Sequence, residues 1–249
     1  METASILEAL ERMSDRVPRE ALEAAVAQQT AITPHLLAAL EDPYHVLGRI
    51  VADPAYALPY YALYLLAKFR ERRAYPLIVA LFMTPGERAS EFTGDIVTED
   101  LARILASVSG GELGPMQRLV EATDVGKFVP SAAIDGLVTL VNEGAVARDV
   151  VIDYFRTLFQ GGLRRRYHFS WAALVAACVD LHPGELMGEI RQAFADRLVD
   201  EAFINYHEVR QAARQDKAVL LTQLREDRHL RYVDDVARAV SWWSCFHVI

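Results

Sequence analysis

Apolar residues recur at three- and four-residue intervals along almost the whole chain, and nowhere is an every-second-residue alternation sustained. The first spacing places side chains on one face of a helix; the second would place them on one face of a strand. One stripe is Val97, Leu101, Ile104, Leu105 and Val108. Others are Val151, Tyr154, Phe155, Leu158 and Phe159, and Trp171, Leu174, Val175 and Cys178. No Asn-Gly or Asp-Gly pair joins β-rich runs, so hairpin signals are missing too. The chain is therefore predicted to be all-α.

The stripes are cut at short intervals by Pro or Gly. The cuts fall at Asp42-Pro43, Asp53-Pro54, Pro76, Pro85-Gly86, Gly110 to Pro115, Gly144, Gly161-Gly162 and Pro183-Gly184. Each such residue stops one helix or opens the next. Pro18, Pro34 and Pro43 are expected at helix starts in the N-terminal part. From residue 54 the helices fall into pairs, and the first of each pair carries a central alanine: Ala62, Ala102, Ala133 and Ala172. These recur at separations of 40, 31 and 39 residues, the period of HEAT and armadillo repeats. Small residues let paired helices approach, while stripes on both sides bury against neighbouring repeats. The expected fold is a HEAT/armadillo-like α-solenoid of helical hairpins with an atypical C-terminal helical cap. A single domain, 1–249, is expected: short N-terminal helices over 1–53, hairpins over 54–199, and the cap over 200–249.

The chain ends on its most aromatic stretch, "SWWSCFHVI". Tyr232, Val236, Val240 and Trp243 are spaced as one helical stripe, with Trp242 about 100° round. Trp243 and Phe246 are expected to bury against the last hairpin, because the open end of an array must be closed.

The phrases "LYLLAKFRERRAYPLIVALF", "GDIVTEDLARILASV", "AALVAACVDLHPGEL" and "DDVARAVSWWSCF" lie between Ala55 and Phe246. Through them the chain resembles a bacterial family catalogued only as a domain of unknown function. The resemblance implies no established activity. Some relatives in that family extend into a cysteine-rich SEC-C zinc-binding tail, of a kind found on proteins of export and quality control. No such tail follows Phe246 in this sequence.

Charge and composition narrow the function classes. Lys plus Arg number 26 against 34 Asp plus Glu, a net charge of −8, which disfavours nucleic acid and anionic membrane surfaces. The longest uncharged apolar run, "PAYALPYYALYLLA", is too short to span a bilayer and contains Pro59. The start has neither a positive region nor a long apolar one, so no secretory signal is recognised and a cytoplasmic location is expected. Two cysteines build neither a disulfide framework nor a zinc site alone.

Several constellations could carry chemistry. Asp95, Glu99 and Asp100 could bind a cation or act as acid and base. Against that, Thr98 has the character of an N-cap, with Glu99 and Asp100 in the first helical turn and Glu99 four residues before Arg103. Cys178, Asp180, His182 and Glu185 are possible metal ligands. Cys178, however, shares an apolar stripe, and His182 sits where it could cap a helix end. Arg164, Arg165 and Arg166, beside Tyr167, form the one dense basic cluster. They could grip phosphate or an acidic partner, or be a solvated turn. Tyr56, Tyr60, Tyr61 and Tyr64 could form a docking face or ordinary packing. "YHEVRQ" lacks the second histidine of HExxH, which is Gln211 here, and no phosphate-binding glycine motif occurs.

The expected function is protein–protein recognition by a scaffold or adaptor that holds a peptide or partner on its helical surface. The candidate binding residues are Tyr60, Tyr64, Glu99, Asp100, Arg103, Arg164, Arg165, Arg166, Asp180, His182 and Trp242. The alternative is a metal-dependent enzyme using Asp95, Glu99, Asp100, Asp180 and His182. No cofactor is expected.

Overall fold

The computed structural model describes residues 1–166 and 168–247. Over these residues the protein is helical, with no strand beyond one isolated bridge between Arg12 and Tyr56. The N-terminal helices are α1 (Thr3–Glu11), α2 (Arg19–Ala27), α3 (Gln29–Ala38) and α4 (Pro43–Ala52). The middle comprises α5 (Leu58–Lys68), α6 (Ala74–Phe82), α7 (Arg88–Thr93), α8 (Ile96–Glu99), α9 (Leu101–Ser109) and α10 (Gly114–Glu121). Then follow α11 (Val129–Asn142), α12 (Arg148–Thr157), α13 (Phe169–Asp180) and α14 (Met187–Ala195). The chain finishes with α15 (Tyr206–Ala212), α16 (Lys217–Leu224), a 3₁₀ turn at Arg228–Leu230, α17 (Val236–Ala239) and a 3₁₀ turn at Ser244–Phe246.

Local chemistry explains most boundaries. Pro43 occupies the first position of α4, and the Asp42 carboxylate accepts from the Tyr44 and His45 amides, meeting donors that have no intrahelical partner. Asn205 and Glu208 form a reciprocal capping box at the start of α15. Pro34 differs from expectation: it lies inside α3 rather than at its start. The acidic run differs as well. Thr98 lies within the short α8, and its hydroxyl donates to the Asp95 carbonyl. Asp100, not Thr98, occupies the N-cap position of α9.

α3, α5, α9, α11 and α13 form one continuous row in which each packs on the next. On one side α6 packs against α9 and α10, and α10 lies against α11. The Tyr75 hydroxyl ties α6 to the start of α10 by donating to the Glu112 carbonyl (3.0 Å) and accepting from the Met116 amide (3.1 Å). The row is the core. In α5 every residue from Leu58 to Ala67 is buried, as expected for a helix apolar all round. Ala62, Ala102, Ala133 and Ala172 are all buried. α9 and α11 approach closely at Gly136. There a methyl group would stand 3.2 Å from the Ala102 carbonyl oxygen and 2.8 Å from Met116 Sδ.

The C-terminal segment runs back along this row. α16 packs on α13, the 3₁₀ turn Arg228–Leu230 on α11 and α9, and α17 on α5 and α2. Trp243 and Phe246 were expected against the last hairpin; Trp243 instead seats among Tyr60, Tyr61 and Tyr64 of α5, with Phe246 stacked on it. The expected continuous helix from Tyr232 to Trp243 does not form. The Asp235 carboxylate caps the Arg238 amide, so the helix starts after it. Main-chain groups of Arg231, Tyr232 and Val233 are bonded to side chains of the row, which a helix would have drawn inward for itself.

Gly136→Val should overpack the α9–α11 contact, where a backbone oxygen cannot yield. The expected loss, read by chemical denaturation, is about 2 kcal/mol.

Candidate functional site

Asp100 is a buried carboxylate, 3% exposed. A carboxylate taken from water must be matched by donors. Its Oδ2 accepts from the Tyr64 hydroxyl (2.7 Å) and from Trp242 Nε1 (2.9 Å), and its Oδ1 from Arg103 Nη1 (2.9 Å). These donors come from α5, the C-terminal segment and α9. Burial and the Asp100 charge both push the Tyr64 hydroxyl pKa up, so it stays protonated and donating.

The remaining Arg103 donors hold the C-terminal segment. Nε donates to the Arg231 carbonyl (2.8 Å) and Nη2 to the Tyr232 carbonyl (3.3 Å). Neighbouring side chains along the row do the same. Ser107 Oγ accepts from the Val233 amide (3.0 Å), and Arg70 Nη1 donates to the Val233 carbonyl (2.9 Å). Glu143 accepts from the Tyr232 amide (3.0 Å) and from Arg231 Nε (2.7 Å). Asn142 Nδ2 donates to the Leu224 and Leu230 carbonyls (3.1 and 2.8 Å). We call residues 228–247 the strap.

Between the strap and α8–α9 lies a cleft of about 420 Å³. Glu99, Asp100, Arg103 and Trp242 line it, with Arg228, His229 and Arg238 contributed by the strap. Four of the expected binding residues thus meet in one place, and Tyr64 joins them through Asp100. Tyr60 and Tyr64 do not form an exposed docking face: Tyr64 is fully buried and Tyr60 nearly so, both against Trp243. Glu99 does not pair with Arg103, which bonds Asp100 instead.

The other expected residues lie elsewhere. Asp95 borders a separate cleft with Tyr60, Trp243 and Cys245. Arg164, Arg165 and Arg166 are exposed. Arg165 pairs with Asp196, while Arg164 and Arg166 line a cleft with His168 and Trp171; Tyr167 lies outside the described residues. His182 does not cap α13. That task falls to Arg148, whose guanidinium donates to the Leu181 and His182 carbonyls and pairs with Glu185. The His182 ring is placed against the Gln215 carbonyl and the Gly184 amide. Cys178 is fully buried, which pushes its thiol up and out of reach of metal or nucleophilic chemistry. The proposed metal set is therefore not assembled. Among the described residues no three His, Cys, Asp or Glu side chains are grouped to hold a metal ion.

Sequence reasoning missed Arg70, Ser107, Asn142 and Glu143, the residues that grip the strap. Asn142 and Glu143 stood in a stretch read only as a helix break. Their partners are 82 to 89 residues away, and no local spacing announces them.

Tyr64→Phe and Trp242→Phe each remove one donor from Asp100 and should each cost about 1–3 kcal/mol in denaturation measurements. A double-mutant cycle between them should give a coupling of at least about 0.5 kcal/mol, because both act on one carboxylate oxygen.

Asp180 titrates as part of the packing. Burial and the charge of Asp180 raise Asp135, on α11, to about 7; burial and the charge of Asp227 raise Asp180 to about 6. The folded chain then holds protons that the unfolded chain has lost by about pH 4. These groups therefore favour the fold most at low pH, and their contribution falls as pH rises toward and through 6 and 7. Thermal melts across this range should show Asp135→Asn flattening the fall and raising Tm most at the alkaline end. An unchanged slope would refute the assignment.

No helix among the described residues is long and apolar enough to cross a membrane. No solved structure matches the chain. An uncharacterised protein of Chlamydia muridarum (strain MoPn / Nigg) is 42% identical over 209 residues, which are 84% of each chain. An uncharacterised protein of Chlamydia trachomatis serovar D is 41% identical over 209 residues, 84% of this chain and 83% of its own. A family model described as "Protein of unknown function (DUF1186)" matches residues 1–247. With this match over nearly its whole length, the chain belongs to the DUF1186 family.

Proposed function

We propose that the protein is a non-catalytic recognition scaffold that binds a protein or peptide partner along its helical row. In this reading the whole chain, 1–249, is one domain working in the cytoplasm. The row over 54–199 is a HEAT-like stack, in which α5, α9, α11 and α13 are the repeating first helices. One observation carries the proposal. Side chains from successive members of the row (Arg103 and Ser107 on α9, Asn142 and Glu143 at the end of α11) hold the main chain of the strap. A stack of helices reads a peptide in this way: main-chain bonds supply affinity and pockets supply selectivity. The 420 Å³ cleft beside the strap leaves part of the same surface open.

The charged groups at the cleft floor support recognition over catalysis. Asp100 and Arg103 are consumed by internal partners, whereas a catalytic acid, base or metal ligand must keep a free valence toward substrate. The exposed charges lining the cleft include Glu99 and, from the strap, Arg228, His229, Asp234, Asp235 and Arg238. Mixed rim charge gives selectivity and orientation.

Panning a random peptide library on the full-length protein tests this reading. Enriched peptides should bind at least about tenfold more weakly to the Glu99→Ala/Arg238→Ala variant, which leaves the floor intact. Failure to enrich any sequence over an unrelated helical protein would sink the scaffold. So would metal-dependent turnover abolished by Glu99→Gln.

A further inference from the structure

The strap has the bonding pattern of a bound ligand rather than of a core element. Within it the regular structure amounts to one four-residue helix and two three-residue turns. Its central stretch is extended, and the row holds its main chain at the Leu230, Arg231, Tyr232 and Val233 carbonyls and the Tyr232 and Val233 amides, while Arg70 also meets the Tyr232 ring and the Asp234 carboxylate. The main-chain contacts do not depend on side-chain identity, so another sequence can take the same seat. Side-chain selection comes from four further points. Trp242 Nε1 donates to Asp100. Arg231 pairs with Glu143. Val233 and Val236 are buried. The Trp243 indole fills a cage of Tyr60, Tyr61 and Tyr64, with ring centroids 6.2, 5.2 and 5.6 Å away. An indole in an aromatic pocket is the usual form of a binding anchor.

The seat is also incompletely satisfied. Tyr61 Oη and Asn142 Oδ1, on the row, and Trp243 Nε1, on the strap, are buried without a hydrogen-bond partner. Only two other such side-chain atoms occur among the described residues, on Ser90 and Ser131. Unpaired buried polar atoms weaken the contact that buries them. Arg70, which grips Val233 and Asp234, does so from a left-handed backbone, φ 55°, a conformation unfavourable for a residue with a Cβ. The strap therefore sits in a seat that offers more bonding than it uses. It is joined to α16 through an exposed turn, Arg225 to Asp227.

We infer that the strap is an exchangeable internal ligand, and that the seat accepts in its place an extended segment of another protein with the same chemistry. That chemistry is a cation for Glu143, apolar side chains for the Val233 and Val236 positions, an indole for the tyrosine cage, and an N–H donor for Asp100 in place of Trp242. The partner's identity as a protein rests on the scaffold reading above; the strap's exchange does not.

Hydrogen exchange of the unaltered full-length chain tests the exchange directly. The Tyr232 and Val233 amides are expected to open before the α9 and α11 amides, at least about tenfold more often. If they exchange only with global unfolding, the inference is overturned. A labelled synthetic peptide of residues 228–247 tests occupancy. The intact Trp243→Ala chain should bind it at least about tenfold more tightly than wild type, because its own strap competes less. It should bind a peptide lacking the same tryptophan far more weakly. Equal affinities in a Trp243→Ala chain that still melts cooperatively would overturn the inference, and Trp243→Phe serves the same comparison if the alanine variant fails to fold. Mixing experiments that yield a dimer with exchanged straps would make the occupant a second copy and overturn the proposal of another protein. Failure of library panning with hydrogen exchange as expected would strike the scaffold reading and leave strap exchange standing.

Discussion

The rest of the structure depends on how one buried carboxylate is neutralised. Asp100 lies between α8 and α9 and receives hydrogen bonds from Tyr64, Arg103 and Trp242. A buried charge with a missing partner is costly by several kcal/mol, so whatever occupies the seat must supply the third donor, which Trp242 of the strap gives here. One donor is on α5, one on α9 and one on the strap. Satisfying Asp100 thereby fixes α5 against α9 and brings the chain end back to the middle of the row. Arg103, once turned toward Asp100, presents its other donors to the Arg231 and Tyr232 carbonyls. The same guanidinium neutralises the buried charge and clamps the strap.

The pattern of perturbed ionisation agrees with this. Strongly shifted groups cluster at catalytic sites when they face a cleft. Here burial raises Tyr61, Tyr64, Tyr75, Asp135, Tyr154, Cys178 and Asp180, none of which lines the cleft beside the strap; of the groups that do, Tyr232 is raised by burial and Arg231 by its bond to Glu143. The shifts are consequences of packing. The cleft itself is bordered by groups already paired at its floor and by charges at its rim, a distribution that suits binding of a polar segment more than bond chemistry.

Much of this was legible locally. The stripe Leu101, Ile104, Leu105 and Val108 is buried, as its spacing required. Asp42 and Pro43 start α4 for reasons contained in two residues. The tyrosines of α5 were harder. Tyr60 and Tyr64 share a face at four-residue spacing, and that spacing is the same whether a partner protein or the chain's own tryptophan covers them. The acidic run at 95–100 was ambiguous in the same way. Its composition fits a cation site, a helix start or a buried ion pair, and only the arrival of Tyr64 and Trp242 selects the last for Asp100.

The sequence by itself determined the class of fold, because the 3.6-residue repeat and the Pro and Gly breaks act over a few residues. It also put Ala62, Ala102, Ala133 and Ala172 inside packed helices, where all four are buried, but it did not single out Gly136, against which the Ala102 carbonyl packs. Only the tertiary structure decided where the aromatic end goes and which charged residues matter. The bonds from Arg103 to Arg231 and from Arg70 to Val233 span 128 and 163 residues. Their energy depends on geometry that exists only after the row has packed. A helical stripe in "YVDDVARAVSWW" gives way to an extended strap because the packed row offers its main chain better partners than its own helix would.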